Sequence, residues 1–348
     1  MSLPKEKIQE LLQNSILRSD QEFSDPPVCI KISGEYGNQI FATLGNFSLL
    51  LAPPKVGKTT AAMLPVVSLL RKETFLNCIP TMPPGKSNIY WIDTEQGKHE
   101  GVKIVRTVSR LATGQENTQP PNFYYYSFRQ FNNATKLELT DYLIENSKNL
   151  GFVVIDGIRD FVSSINNEIE ATTIAEKLLK WTETKNIHIL TILHQNKGDG
   201  NARGHLGTEL INKAETVARI KREEQGITRL TVIEPDLSRH REFEKFAFTI
   251  DQDGNFEPNE ISEGYQPKNP KPNELTLDEI KAIIKEVYKN GESYPYAKLQ
   301  EQIHKTCHKN MFESFGMNKC ADLIKRLKDE RYITQKSDSN QYINNATL

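Results

Sequence analysis

Cysteine, charge of one sign and long apolar runs are all scarce in this chain, and each shortage excludes something. Four cysteines, Cys29, Cys78, Cys307 and Cys320, are scattered over 348 residues with no CxxC pair. That excludes a disulfide scaffold and predicts reduced thiols. His304, Cys307, His308 and Cys320 have the residue types of a zinc site. However, the first three fall on one amphipathic helix and no second close pair completes four ligands, so no metal is expected there. Lys and Arg number 44 against 45 Asp and Glu, a formal net charge of -1. No overall field draws in nucleic acid, and contact with it needs a local patch. No stretch approaches the ~20 apolar residues of a membrane span, and the charged start MSLPKEKIQELLQ has no signal-peptide apolar run. A cytoplasmic protein is expected.

What is present is a regular alternation of strand-like and helix-like segments. Residues 4–17 carry apolar side chains at helical spacing. Residues 24–46 read as one or two short strands with turns. From Phe47 onward the apolar strands FSLLLA, SNIYWID, NFYYYSF, GFVVID and HILTILH alternate with amphipathic helices. ETVARIKRE then reads as a strand, and RLTVIEPDLS with FEKFAFTID as an antiparallel pair. Uniformly apolar strands between amphipathic helices predict an α/β fold with a mostly parallel sheet covered on both faces. GYQPKNPKPNEL reads as a linker. Beyond it, three helices and a hairpin outline a winged helix. The expected organisation is an N-terminal helical segment (1–23), a nucleotide-binding domain (24–263), a linker (264–275) and a winged-helix-like domain (276–348).

The chemistry concentrates between the first of these strands and its helix. Ala52–Thr60, APPKVGKTT, fits the phosphate-binding pattern of glycine, four residues and Gly-Lys-Ser/Thr, except that Ala52 stands at the first glycine. The loop Pro54, Lys55, Val56 and the residues after it are expected to cradle phosphate oxygens at a helix N-terminus, through the backbone N–H groups that follow Pro54. Gly57 permits close approach, Lys58 sets a charge on the outer phosphates, the Thr59 hydroxyl ligates Mg²⁺, and Thr60 extends the first turn. Ala52 fits comfortably only if its φ stays negative. Two later strands end in carboxylates, Asp93-Thr94-Glu95 and Asp156. Hydrolysis needs one acid beside Mg²⁺ and one to orient or deprotonate water. Asp156, after four apolar residues, is the metal-side acid. Glu95 is the candidate base, with Asp93 supporting the site through hydrogen bonds. His194 and Gln195, just past another core strand, are candidates to sense the γ-phosphate.

The order of phosphate loop, D-T-E, V-V-I-D and L-H-Q resembles the RecA/DnaB-like P-loop ATPases, and most nearly the RepA-like hexameric helicases of plasmids and mobile elements. The resemblance covers about residues 40–255. It implies a RecA-like core using ATP and Mg²⁺, with Glu95 as catalytic glutamate and Asp156 as the Walker B aspartate. Gln195, or His194 on a one-residue shift, falls where the family links γ-phosphate to a DNA-binding loop. Arg239 and Arg241 are similar to the Lys-x-Arg pair that reaches a neighbouring subunit's nucleotide, with Lys221 and Arg222 in reserve. A homo-oligomer, expected as a hexamer, follows. The chain departs from the family at Ala52, in lacking a recognisable DnaB-type N-terminal domain, and in its winged-helix-like tail.

Single-stranded DNA is expected at two loops. One, Asn196–His205, offers Lys197, Arg203 and His205 among three glycines. The other, Gly157–Ile169, offers Arg159 and Asn166-Asn167. The tail is barely more basic than acidic, but its third helix carries Lys319, Lys325 and Arg326, the candidates for duplex DNA. The reading is an oligomeric Mg²⁺-dependent ATPase that moves along or remodels DNA in plasmid or mobile-element replication or mobilisation. The alternative is an ATP-switched, site-specific duplex-binding protein without motor activity.

Overall fold

The structure, a computed structural model, describes the chain apart from residues 1–2, 36, 196–203, 226–227, 260–270, 274, 276, 311–314, 337–338 and 346–348. It divides into two compact units, Met1–Glu260 and Ile261–Leu348. No described helix is long and apolar enough to cross a membrane.

The first unit is organised by its strand pattern. It comprises α1 (Lys5–Asn14), β1 (Val28–Ile32), β2 (Gln39–Thr43), β3 (Phe47–Ala52), α2 (Lys58–Arg71), β4 (Cys78–Pro80), β5 (Asn88–Asp93), α3 (Lys98–Thr113), β6 (Phe123–Ser127), α4 (Asn133–Glu145), β7 (Leu150–Asp156), α5 (Glu168–Lys185), β8 (His188–His194), α6 (Gly204–Lys213), β9 (Thr216–Gln225), β10 (Thr228–Ser238), β11 (Phe246–Ile250) and β12 (Phe256–Asn259). Nine strands form one sheet in the order β12-β11-β10-β9-β3-β8-β7-β5-β6. From β9 to β6 every neighbouring pair is parallel, while β10, β11 and β12 add on antiparallel. This is the expected α/β core with a mostly parallel sheet. Strands β1, β2 and β4 make a separate small sheet.

Both faces of the sheet are dry, which is why its central strands are apolar at every position. Along β3, Phe47, Leu49 and Leu51 join one core, with Ala171, Leu178 and Leu206 from α5 and α6. Leu50 and Ala52 join the other, with Ala61, Leu64 and Val108 from α2 and α3. Side chains alternate across a strand, so successive residues serve opposite cores. Helix α2 continues through Pro65 although proline removes a backbone donor. Ten of its residues, Pro65 included, are buried, and that packing outweighs the lost bond. Helix α1 has the expected amphipathic pattern but no buried residue; Leu12 is 63% exposed and Leu11 44%.

The second unit holds α7 (Leu277–Val287), β13 (Tyr294–Pro295), α8 (Tyr296–Asn310), α9 (Met317–Asp329), β14 (Ile333–Gln335) and β15 (Gln341–Asn344), with strand order β13-β15-β14. Cys320, Leu323, Ile324 and Leu327 of α9 face a core that includes Ile280, Leu299 and Ile333. Leu275, expected as linker, is buried in this core. Arg326, expected on the DNA face, is instead a structural tie. Its guanidinium donates to the carbonyls of Pro272 (2.6 Å) and Leu275 (3.1 Å) and to Glu330 (2.6 Å). Lys319 lies over the Phe315 ring at 5.7 Å, and Lys325 is exposed.

Candidate nucleotide site

Four strand ends meet on one edge of the sheet. Ala52 is in register with His194, and Asp93 with Asp156. Open α/β sheets bind ligands outside the carboxyl ends of their strands. Ala52 is the last residue of β3 and fully buried, and its carbonyl accepts the Gln195 N–H at 3.1 Å. Being strand, it has no need of glycine. The loop spends its positive φ values later, at Lys55 (66°) and Gly57 (97°). Gly57 caps α2 without any side-chain hydrogen bond, which leaves the first-turn N–H groups for an anion. Pro54 and Lys55 are exposed on the loop, while Val56 and Thr60 are half-buried.

Lys58 is buried, and its Nζ donates to the Pro53 carbonyl at 3.0 Å and lies 2.9 Å from His194 Nδ1. An ammonium only donates, so His194 Nδ1 accepts and the ring proton sits on Nε2. Nε2 faces Glu95 Oε1 at 3.6 Å. His194 therefore stands between the loop lysine and the candidate base. Burial holds the Lys58 ammonium below the usual lysine range, against the pull of Glu95 and Asp156. The His194 contact holds the Glu95 carboxyl below its usual range, helped by Lys58 and Lys136. Thr59 Oγ1 donates to Asp156 Oδ2 at 2.8 Å. Burial, with Asp93 nearby, pushes the Asp156 carboxyl up to about 7.

The loop carrying Glu95 is held from several sides. Buried Asp93 accepts the Glu95 N–H (2.8 Å) and the Gln96 N–H (2.9 Å) on Oδ1, and the Tyr125 hydroxyl on Oδ2. Tyr125 in turn stacks on Trp91. Thr94 Oγ1 donates to the carbonyls of Gly157 (2.8 Å) and Asp156 (3.1 Å). Lys136, 5% exposed, bonds the Asp160 carboxylate at 3.2 Å and the Thr94 carbonyl at 3.4 Å. Gly157 has φ 98°, and a Cβ there would lie 2.3 Å from Thr94 Oγ1 and 2.7 Å from Glu95 Cγ. Gly157→Ala is therefore expected to cost ~1–3 kcal/mol for the backbone conformation alone and to push Glu95 off its position. Thermal melts and single-turnover hydrolysis check the two effects separately.

The fold thus brings together Lys58, Thr59, Glu95, Asp156 and His194. Of the two sensor candidates it is His194 whose side chain touches the site; Gln195 is 7% exposed beside the strand end. Arg239 and Arg241 lie elsewhere. Ser238 pairs with Thr216, which pairs with Ser48 at the start of β3, so the two arginines follow at the sheet edge opposite the phosphate loop. Of the reserve pair, Lys221 is bound to Glu234 and Arg222 is exposed. Lys197 and Arg203 fall outside the described residues; His205 is exposed in the first turn of α6. Arg159 donates to the Val162 carbonyl at 3.3 Å. Tyr125, Lys136 and Gly157 are site residues that the sequence reading missed. Gly157, directly after V-V-I-D, was open to it; nothing local marks the other two.

Residues 39–200 match the model of a family described as AAA domain. The matched segment runs from β2 through the phosphate loop and Asp156 to just past His194. This part of the chain carries the phosphate-loop sequence Ala52–Thr60 and resembles an AAA-type nucleotide-binding domain. Among solved structures, the chain is similar to one described as an ATPase domain, at 13% identity and a TM-score of 0.45, over 62% of this chain and 85% of that one. No curated protein matches. The P-loop domain fits a nucleoside triphosphate through Gly57, Lys58 and the open first turn of α2. It also offers a hard divalent cation the oxygens of Thr59 and Asp156. Below about pH 7 a cation bound there would have to displace the Asp156 proton.

Proposed function

We propose that this protein is an assembly-dependent, Mg²⁺-requiring ATPase that couples hydrolysis to movement along DNA or to its remodelling, as in replication or mobilisation of a plasmid or mobile element. The contact chain Lys58–His194–Glu95 beside the Thr59–Asp156 pair carries the reading. It links the group that binds outer phosphates to the group that would activate water. Thr59 and Asp156 would hold Mg²⁺, which supplies charge neutralisation on the phosphates. Glu95 would take the proton of the attacking water, and His194 would register the γ-phosphate through the movement of Lys58. Gln195, whose N–H donates to the Ala52 carbonyl, ties the end of β8 to that of β3.

Assembly is supported by two independent features. Arg239 and Arg241 stand too far from their own phosphate loop to serve it, so a role at a nucleotide requires another copy. Helix α1 presents Ile8, Leu11 and Leu12, none of them buried by the described residues. A 10-residue helix is marginal alone in water, so a partner surface accounts for it. By resemblance, that partner is a further copy in a hexameric ring. DNA would follow the loops after β7 and β8, through Lys197, Arg203 and His205. The small unit, read as a winged helix, would meet duplex DNA through Lys319 and Lys325.

The test is mass in solution, with and without ATP and single-stranded DNA, alongside ATPase rates. The expected result is a nucleotide-promoted oligomer whose turnover rises with single-stranded DNA. A strict monomer would remove the trans reading. Duplex binding by the full chain without stimulation by single strands would favour the ATP-switched binding protein instead.

A further inference from the structure

The edge of the sheet opposite the nucleotide holds a buried polar cluster that the nucleotide site does not use. Glu215, just before β9, is 2% exposed. Its carboxylate accepts the Thr43 N–H at 2.9 Å, the Thr43 hydroxyl at 2.5 Å and His240 Nε2 at 2.9 Å. Its own N–H donates to the Phe47 carbonyl at 2.8 Å, and its carbonyl accepts the Arg239 N–H at 2.9 Å. The second nearby imidazole, His188, is fully buried and lies 3.9 Å from the carboxylate. Its Nδ1 is committed to the Thr43 carbonyl at 2.8 Å, and burial holds the ring below the usual imidazole range. The group that answers Glu215 from the solvent side is therefore His240, whose side chain is 34% exposed.

His240 is the middle residue of Arg239-His240-Arg241. On one side, Arg239 is fixed by its backbone bond to Glu215 and by its guanidinium on the Lys213 carbonyl at 2.9 Å. The His240 N–H donates to Ser238 Oγ at 3.1 Å. On the other side, Arg241 is exposed and makes no hydrogen bond or ion pair to another described residue. A buried carboxylate is costly unless its acceptors are filled, and here a partly exposed histidine is brought in to fill one. The outcome is a loop clamped on two residues and free at the third.

We propose that Glu215 and His240 form a latch that presents Arg241 to the nucleotide of a neighbouring copy, His240 acting as a positioning residue rather than as a group that touches phosphate. The proposal rests on the trans reading above. Fixing the backbone one residue before a long flexible side chain removes the backbone part of the search that its guanidinium would otherwise make.

The test compares His240→Ala, His240→Gln and Arg241→Ala in the full chain. Each is assayed for kcat, KM and ATP affinity, alone and after mixing with Lys58→Ala subunits. The latch predicts that His240→Ala lowers kcat by on the order of 10²-fold, the cost of a misplaced catalytic group, with KM and ATP affinity unchanged. His240→Gln, whose amide can still donate to Glu215, recovers most of the rate. Lys58→Ala subunits carry an intact latch and no active site, so mixing them in restores turnover at the His240→Ala sites. If His240→Ala does not fold, His240→Asn, whose shorter amide falls short of Glu215, takes its place with the same expectations. Wild-type kcat in the latch variants, with Arg241→Ala inactive, overturns the latch and leaves the trans reading standing. Failure of mixing to rescue His240→Ala while it rescues Arg241→Ala also overturns the latch. Wild-type kcat in Arg241→Ala overturns the trans reading itself.

Discussion

Glu95→Gln should bind ATP as the parent does and hydrolyse it on the order of 10²–10⁴ times more slowly, the range of a lost general base. The substitution keeps the shape of the side chain. The backbone bonds from Asp93 that hold this loop do not involve the Glu95 side chain, so the site should survive intact. Without nucleotide, the Glu95 carboxyl is held below its ordinary range by His194, with Lys58 and Lys136 adding to it. Such a carboxylate is ionised at neutral pH but a weak base. When an outer phosphate takes Lys58, one of those restraints is withdrawn and the carboxylate becomes more basic at the moment it is needed.

The pH dependence separates the two acids. Glu95, with its depressed value, is ionised throughout the neutral range and sets no limb there. Asp156, pushed up to about 7, must lose its proton to hold a cation, so cation-dependent ATP binding should weaken as pH falls through about 7. The Glu95 charge is one of the influences raising Asp156. Glu95→Gln should therefore move that limb to lower pH even as it stops turnover. Calorimetry of Mg²⁺–ATP binding across pH, paired with single-turnover hydrolysis, reads both effects. Undiminished turnover in the variant would remove Glu95 from the role of base.

Arg241→Ala should lower turnover of the assembled protein by about 10³–10⁵, the effect of withdrawing an arginine from developing phosphoryl charge, while leaving ATP affinity and assembly close to the parent. The reason is geometric. Arg239 is committed to the Lys213 carbonyl, which leaves Arg241 as the available guanidinium of the pair. Since the two arginines lie beyond the start of β3 and the phosphate loop leaves its end, Arg241 contributes nothing to its own site. Arg241→Lys should recover little, because a lysine cannot offer the planar fork that two phosphate oxygens accept. Mixing Arg241→Ala with Lys58→Ala subunits should yield more turnover than either alone. An additive result of two inactive proteins would exclude action between copies.

Local pattern and long-range pairing divide what could be read from the chain alone. The apolar runs of β3, β5, β7 and β8 and the phosphate-loop spacing are local signals, and they located Lys58, Thr59, Asp156 and the Asp93-Thr94-Glu95 turn. Helix α2 runs across Pro65 because burial outweighs one absent donor. Other features have no local signature. Strand β12 (FEPN) contains a proline and is edge strand only because β11 is there to pair with it. Glu215 meets Thr43 across 172 positions of sequence, so nothing near either residue announces the pair. Lys136 reads as a solvated helix residue until the fold sets it under Thr94 and Asp160. The choice between His194 and Gln195 turned on strand pleat. One residue of register decides which side chain faces the phosphate loop, and sequence alignment does not resolve a single residue. Arg326 shows the reverse case: a basic helix face reads as open, yet one of its members is consumed in tying down the segment before α7.

The pairing of β9 with β10 has a consequence for assembly. Three residues into β10, Thr231 lies 3.9 Å from where a Cβ on Gly57 would sit; at the far end, Ser238 leads into Arg239-His240-Arg241. The stretch of strand between them spans on the order of 20 Å. On the trans reading proposed above, the strand would act as a ruler between the phosphate loop of a subunit and the cation it lends to the next. Its length, not the shape of any one pocket, would set the distance between successive nucleotides around a ring of these subunits. Its bulge between Pro235 and Leu237 is the one graduation out of step.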